Sequence, residues 1–222
     1  MKTREIRLRC WVCGEEYDSE QPQSYVLQGR GSDLCPRPLG PSALPLLLHT
    51  CPECGFIGDE AAFDPEQADE QVREWVLAGG LAASARQTPD SGHGKYVLAA
   101  ACHARRRRPS PLQLAELYLA ASWSAQHEEV VDAVPLLQAD AVRYLESALL
   151  VGQIADEERA VMTYLAGELR RQLSEFDAAL QLFDEAAISF THYGGPRWLL
   201  RALGQQAGMA RNRSAEPAPL AQ

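Results

Sequence analysis

The chain has 222 residues and a formal net charge of −9, with 46% apolar and 23% charged residues, an ordinary composition for a globular protein. The excess of acidic residues disfavours a general binder of nucleic acid or anionic membranes, because contacts to phosphate need a surplus of Lys and Arg. No stretch approaches the roughly 18 to 20 apolar residues of a membrane span, and the amino terminus lacks the apolar core of a signal peptide. We therefore expect a cytoplasmic protein whose six cysteines stay reduced.

The first sixty residues are predicted to contain three short strands. TREIRLRC (residues 3–10) places Ile6 and Leu8 on one face and arginines on the other. SYVLQG (24–29) is the second predicted strand, and the apolar segment ALPLLLHTC (43–51) is the third. The segment between the last two is rich in Gly and Pro and is predicted to be a loop.

Two C-x-x-C-G units stand at the ends of these strands. Cys10 and Cys13 form the first unit, Cys51 and Cys54 form the second, and 37 residues separate the pairs. Zinc prefers four ligands in a tetrahedron, and thiolate is one of its favoured donors. The glycine after each pair allows the backbone to turn so that both sulfurs face one ion. The spacing therefore predicts a zinc ribbon in which two knuckles share one structural zinc.

Two other interpretations of the four cysteines stay open. Each pair could be a thiol–disulfide switch, although such centres open a helix within a βαβ unit and neither pair here begins a helical pattern. The four could also be reduced core residues.

Further ligand candidates lie nearby. Cys35 is either an additional or substitute ligand or a buried structural thiol. His49 lies two residues before Cys51 on the predicted strand, so alternation turns it to the same side, but four sulfurs already complete a closed site. Catalytic zinc keeps one position open for water, and the sequence contains no other catalytic constellation. We therefore expect a protein that is not an enzyme.

The remainder of the chain is predicted to be helical. Asp64 is predicted to cap the first helix with Pro65 at its first position, and Ser110 and Pro111 repeat that signal. The predicted helices cover residues 64–80, 95–108, 110–126, 135–153, 156–173, 176–190 and 196–208.

The basic run Arg105–Arg108 has two interpretations. Cations at the carboxyl end of a helix satisfy terminal carbonyls and complement the helix dipole. Alternatively, the run is a docking patch for an acidic partner or RNA. The tripeptide His127-Glu128-Glu129 matches the first element of zinc deaminases, but no C-x-x-C follows it.

One helical segment, YLAGELRRQLSEFDAALQLFDEAA, resembles a tetratricopeptide repeat. Its small and aromatic packing positions are Gly167, Ala179, Phe183 and Ala186, at spacings of 12, 4 and 3. The repeat's tryptophan position carries Thr163, and its closing proline is missing. A weaker match precedes it at Ala141, Leu145 and Ala148. Helical-hairpin arrays present a groove to a partner, but ordinary bundle packing explains the same residues.

Taken in order, these motifs resemble one family. Two knuckles flank SDLCPRPLGPSALPLLLHT, and LAELYLAASW and the repeat-like segment follow, with Tyr118 and Trp123 at aromatic positions. This order is similar to the bacterial domain-of-unknown-function 2225 family over most of residues 10–190. The resemblance implies a zinc-ribbon-like head joined to a tetratricopeptide-like body and implies no activity.

The expected fold class is α+β. A zinc-ribbon β module over residues 1–63 is followed by an all-α tetratricopeptide-like domain over 64–208. Residues 209–222 lack an apolar face and are predicted to be a disordered tail.

The leading functional hypothesis is a non-catalytic zinc-binding adaptor whose helical body binds a protein or peptide. One alternative is a nucleic-acid-binding ribbon that uses Arg4, Arg7, Arg9, Arg30 and Arg37, against which stand Glu15, Glu16, Asp18 and Glu20 beside the first knuckle. The other alternative is a thiol redox sensor in which oxidation ejects zinc.

Overall fold

A computed structural model describes residues 1–220 of the chain. Six strands form three two-stranded antiparallel sheets, and eight helices follow. The strands are β1 (Lys2–Arg9), β2 (Glu16–Ser24), β3 (Leu27–Arg30), β4 (Pro36–Pro38), β5 (His49–Thr50) and β6 (Ile57–Gly58). The helices are α1 (Glu70–Leu77), α2 (Gly80–Ala85), α3 (Gly92–Ala104), α4 (Pro111–His127), α5 (Ala133–Leu150), α6 (Asp156–Gln172), α7 (Phe176–Tyr193) and α8 (Trp198–Arg211). This arrangement confirms the α+β class.

The first sheet is a hairpin of β1 and β2. Leu8 lies opposite Tyr17 on the buried face, whereas Arg7 lies opposite Asp18 on the exposed face and contacts its carboxylate at 3.0 Å. The sequence pattern did not predict β2, because its charged residues mask the alternation and only one large apolar side chain, that of Tyr17, points inward.

The two later strand predictions need correction. The second strand begins at Leu27 rather than at Ser24 and pairs with β4. Most of the segment 43–51 is not a strand, because Pro45 opens a 3-10 turn over Leu44–Leu46. Only the last part forms β5, which pairs with β6.

The start of the first helix was also predicted too early. Asp64 caps only a 3-10 turn, Pro65–Gln67. The helix α1 begins six residues later, where the Asp69 carboxylate accepts the backbone N–H groups of Gln71 and Val72. The helix cap predicted at Ser110 was correct, since the Ser110 hydroxyl caps α4 by accepting the backbone N–H of Gln113.

The helices from α4 onwards form antiparallel hairpins, with α4 packed on α5 and α6 packed on α7. At the second hairpin, Gly167 allows close approach, because a Cβ atom there would lie 2.8 Å from the ring of Phe183. Phe183 is 2% exposed and also contacts the ring of Tyr164. These contacts place the repeat-like residues of the sequence at a helix–helix interface.

Two clusters of buried apolar side chains organise the fold. The N-terminal core joins the cysteine turns to the first four helices and includes Val12, Phe56, Phe63, Tyr96 and Ala121. The C-terminal core joins α4–α8 and also includes Leu34, which belongs to the segment 30–42 that we call the early loop. Since the N-terminal core crosses residue 63, the β module and the first helices pack as one unit.

The predicted disordered tail is wrong for residues 209–220. Helix α8 extends to Arg211, and the segment after it lies against the early loop. The backbone N–H of Ser32 donates to the Ala218 carbonyl at 2.8 Å, and the N–H of Leu220 donates to the Arg30 carbonyl at 3.0 Å. Main-chain hydrogen bonds fix this segment, which has only one large apolar side chain, that of Leu220; we call residues 214–220 the C-terminal strap. Residues 221 and 222 of the predicted tail lie outside the described residues.

Candidate metal centre

Each C-x-x-C unit forms the turn of a hairpin. The first pair lies between β1 and β2, and the second pair lies between β5 and β6. In the first turn the N–H of Cys10 donates to the Glu15 carbonyl at 2.8 Å, and in the second the N–H of Cys51 donates to the Phe56 carbonyl at the same distance. The two turns therefore share one backbone hydrogen-bond pattern.

The glycine after each pair closes its turn. The N–H of Gly14 donates to the Cys10 carbonyl at 2.7 Å, and that of Gly55 donates to the Cys51 carbonyl at 2.9 Å. Their φ angles are 87° and 75°, in the left-handed region that glycine adopts without steric cost. Both sulfurs of each pair thus face the same side of the turn.

The four sulfur atoms converge between the two hairpins. The Sγ atoms of Cys10 and Cys54 lie 3.6 Å apart, those of Cys13 and Cys51 lie 3.5 Å apart, and all four lie within 4.8 Å of one another. These distances exceed a disulfide bond of about 2.0 Å, and the cysteines are free. Four sulfurs about 2.3 Å from a central ion would be about 3.8 Å apart. The set therefore fits one tetrahedral metal ion.

Hydrogen bonds favour negative charge on the Cys10 sulfur, whereas the hydrogen bond to Cys10 raises the pKa of Cys54. The Cys54 thiol and the backbone N–H groups of Cys13 and Val12 all donate to the Cys10 sulfur and lower the pKa of Cys10 to about 5. Burial raises the pKa of Cys51, although the N–H groups of Cys54 and Glu53 oppose that effect. Four thiolates this close would repel one another strongly, and a bound cation removes that penalty.

Aromatic side chains cover the cluster and link it to the helices. Phe56 lies against Trp11 and Phe63, with ring centroids 4.9 and 5.1 Å away, and the Trp11 indole N–H donates to the Ala62 carbonyl at 2.8 Å. The sulfur of the buried Cys102 on α3 accepts the N–H of Ile57, next to the second turn. Two of the four clustered cysteines, Cys10 and Cys51, are at most 1% exposed.

The two candidate extra ligands are not members of the four-sulfur cluster. The Cys35 sulfur lies 3.6 Å from Nε2 of His127, and burial raises the pKa of this thiol. His49 is 2% exposed, and its Nδ1 atom lies 2.9 Å from the Ser19 hydroxyl. The structural interpretation of Cys35 therefore agrees with its position.

The contact between Cys35 and His127 does not form a nucleophile–base pair. Nε2 of His127 lies 2.8 Å from the Pro36 carbonyl, which can only accept a hydrogen bond, so Nε2 carries a proton. Nδ1 lies 2.8 Å from the Ser42 hydroxyl. The imidazole therefore holds the early loop on α4, a role that the sequence did not indicate.

The basic run connects α3 to α4 and packs on α1. The N–H of Arg107 donates to the Asp69 carboxylate at 3.0 Å, and the Arg105 guanidinium lies 5.2 Å from the ring centroid of Trp75. Nε2 of His103 accepts the N–H of Ser110 at 2.8 Å. These contacts favour the structural interpretation of the run.

None of the helices in residues 1–220 is long and apolar enough to cross a membrane. The model of a protein family described as an uncharacterised protein conserved in bacteria (DUF2225) matches residues 4–192. The match contains all four clustered cysteines and leaves out α8 and the C-terminal strap. No curated protein and no solved structure gives a significant match.

Proposed function

The chain belongs to DUF2225, a family of uncharacterised proteins conserved in bacteria, and from this premise we propose that it is a non-catalytic adaptor. In this proposal one structural zinc, held by Cys10, Cys13, Cys51 and Cys54, rigidifies the N-terminal core, and the helical hairpins bind a protein or peptide. The observation that carries it is the convergence of four sulfurs within 4.8 Å at the edge of a core shared with α1–α4.

The donor set supports zinc as the metal. Tetrahedral four-sulfur sites in proteins hold zinc or iron–sulfur centres, and sulfur separations near 3.5 Å suit one ion better than a multinuclear cluster. Bound zinc would neutralise the thiolates and cross-link two turns that lie 37 residues apart in the sequence. Because the cysteines are free, the proposal includes a compartment that keeps thiols reduced, the cytoplasm.

Two features support a role without catalysis. Four protein sulfurs would fill the coordination sphere and leave no position for a reactive water. In addition, the Cys35 thiol contacts the His127 imidazole, but the Nε2 proton of that ring is directed at the Pro36 carbonyl.

The helical part supports partner binding. Stacked helical hairpins present an extended surface whose shape depends on the packing of neighbouring hairpins. Nucleic acid is a weaker candidate partner, because acidic residues of β2 neutralise the arginines of β1. Arg7, for example, lies 3.0 Å from the Asp18 carboxylate and 3.7 Å from that of Glu16.

Affinity capture with the full chain tests the adaptor proposal. The immobilised protein is incubated with a bacterial lysate, once untreated and once treated with nuclease, and each retained protein is purified and titrated against the chain. We expect at least one partner to bind the purified chain at 150 mM salt. Retention of nothing above background would contradict the adaptor, and retention that nuclease abolishes would favour the nucleic-acid alternative.

The partial exposure of Cys13 and Cys54 favours a second candidate, a thiol redox sensor. In that case peroxide would oxidise a pair of clustered thiolates to a disulfide, with peroxide reduced to water, and zinc would be released. Zinc release measured with a colorimetric chelator after mild peroxide treatment separates a sensor from an inert structural site.

A further inference from the structure

A series of backbone hydrogen bonds holds the C-terminal strap on the protein. The carbonyls of Ser214 and Glu216 accept hydrogen bonds from the Arg171 guanidinium at 2.6 and 3.0 Å. Two residues further on, the Ala218 carbonyl accepts the N–H of Ser32, and the strap's last amide, that of Leu220, donates to the early loop. Every second carbonyl therefore faces the protein, as in an extended peptide added to an edge.

The receiving side is a polar groove. Arg171 and Glu168 are fully buried and form an ion pair in which Nε and Nη2 donate to the carboxylate at 2.8 and 2.7 Å. Glu168 also accepts the Ser32 hydroxyl at 2.6 Å and the Gln172 amide at 2.8 Å. These bonds fix the guanidinium so that its remaining N–H groups point at the strap, whatever side chains the strap carries.

Ala218 is the most buried side chain of the strap, and Ala215 and Leu220 pack partly against the C-terminal core. Ala218 is 7% exposed, whereas the side chains of Glu216, Pro217 and Pro219 lie at the surface. The two prolines favour an extended conformation and lack N–H groups. The groove therefore accepts an extended, proline-containing segment with a small residue at the Ala218 position.

The strap leaves additional space beside it. A cavity of about 330 Å³ lies between the strap and the α4–α6 region, and Gln126, Gln138 and Gln172 contribute amide groups to its lining. Ala215 and Pro217 of the strap line its other side. A peptide with larger side chains at these two positions could fill this space and gain contacts that the strap does not make.

We propose that the groove formed by the Arg30–Leu34 loop and Arg171 of α6 is the peptide-binding site of the helical body, and that the strap occupies it as an internal competitor. The partner is a protein that presents an extended, proline-containing segment with a small residue in the Ala218 position. This inference rests on the adaptor function and names its binding site. Because the strap is tethered, its effective concentration is in the millimolar range, so it weakens binding of an external peptide.

The test uses the full chain and a fluorescein-labelled peptide of residues 214–220, Ser-Ala-Glu-Pro-Ala-Pro-Leu. Ala218→Glu places a charge in the small buried position and releases the strap. Glu216→Ala changes an exposed side chain and is the matched control. Fluorescence anisotropy is expected to show at least tenfold tighter peptide binding to Ala218→Glu than to the wild-type and Glu216→Ala chains.

Hydrogen exchange separates release of the strap from loss of the fold. In Ala218→Glu the Ser32 amide should exchange faster, the amides of α6 should stay protected, and added peptide should restore protection at Ser32. Peptide binding by Ala218→Glu that is no tighter than by the wild type, or an Ala218→Glu chain that loses protection throughout α6, would overturn the proposal.

Measurement of the molecular mass in solution tests whether the strap of a second copy occupies the groove. A wild-type dimer that dissociates in the Ala218→Glu variant would assign the groove to the strap of a second copy and would overturn a foreign partner. The adaptor function fails on a different observation, the absence of any captured protein, so the two failures can be told apart.

Discussion

The indole ring of Trp11 packs edge-on against the ring of Phe56, with the two centroids 4.9 Å apart. Trp11 lies inside the first cysteine pair and Phe56 lies just after the second, so this contact joins the two turns independently of any metal. Phe56 in turn contacts Phe63, which belongs to the same core as α1–α4. The four-cysteine cluster is therefore part of the N-terminal core rather than a separate appendage.

Chelation should consequently destabilise more than the two turns. Structural zinc contributes about 10 to 16 kcal/mol in small zinc domains, and we treat this range as an upper limit because the aromatic contacts remain. We expect a strong chelator to lower the thermal unfolding midpoint and one equivalent of zinc to restore it, as measured by circular dichroism. An unchanged midpoint would show that the sulfurs contribute no metal-dependent stability.

Two cysteine substitutions provide the control. Cys51→Ser removes a ligand and should reproduce the effect of chelation in untreated protein. Cys35→Ser changes a thiol outside the cluster and should keep both the zinc content and the response to chelator of the wild type.

The adjacent residues Arg170 and Arg171 should differ widely in their contribution to stability. Arg171→Leu leaves the fully buried Glu168 carboxylate without its cation, which costs about 3 to 5 kcal/mol for a buried pair. Arg170 is 24% exposed and pairs with the part-exposed Glu146 and Glu175, so Arg170→Leu should cost about 1 kcal/mol. Urea unfolding of both variants measures the difference, and equal losses would contradict the burial of the Arg171 pair.

Gly167 should tolerate no side chain at the α6–α7 interface. The added methyl group of Gly167→Ala would lie 2.8 Å from the Phe183 ring, and overpacking of this kind costs about 1 to 3 kcal/mol. In Gly204→Ala on α8, the new Cβ would approach no described atom within 4 Å apart from its chain neighbours and its own helix backbone, and the higher helix propensity of Ala should add up to about 1 kcal/mol. Thermal unfolding midpoints that move in the same direction would contradict the close approach of the helices.

His103 should make the fold sensitive to mild acid. Burial, and secondarily the charge of Arg106, lowers the pKa of His103 from 6.5 to about 4. Between pH 4 and pH 6.5, His103 therefore binds a proton in the unfolded chain but not in the folded chain. The free energy of unfolding falls as the pH drops from 6.5 to 4, by up to about 3 kcal/mol.

The variant His103→Gln isolates this contribution. Its loss of stability between pH 7 and pH 4.5, from urea unfolding, should be about 2 kcal/mol smaller than that of the wild type. Effects of acid on the cysteine cluster are common to both proteins and cancel in the comparison. Equal losses would show that His103 titrates normally in the fold.

The sequence predicted those features whose physical cause is local. The C-x-x-C-G units and the Ser110-Pro111 cap each depend on a few consecutive residues, and the structure places both as expected. The leucine-rich segment 43–51 was predicted as a strand because buried strands and buried turns share an apolar composition. Pro45, at the start of the 3-10 turn, favours the turn over the strand.

Two other features have no signature in side-chain pattern. In the sequence, Glu168 and Arg171 have the pattern of solvent-exposed charges on a helix. Their contacts with Ser32 and the strap show that the pair is buried. The strap itself is fixed by main-chain hydrogen bonds, which any small-residue sequence can make, so its composition suggested disorder.

X-ray absorption at the zinc edge, recorded on the purified chain together with its zinc content, tests whether all four cysteines bind one zinc. We expect one zinc per chain, with four sulfur neighbours at about 2.3 Å and no nitrogen or oxygen neighbour. A chain without metal, or a zinc with two sulfurs and two lighter ligands, would contradict a site made by all four cysteines.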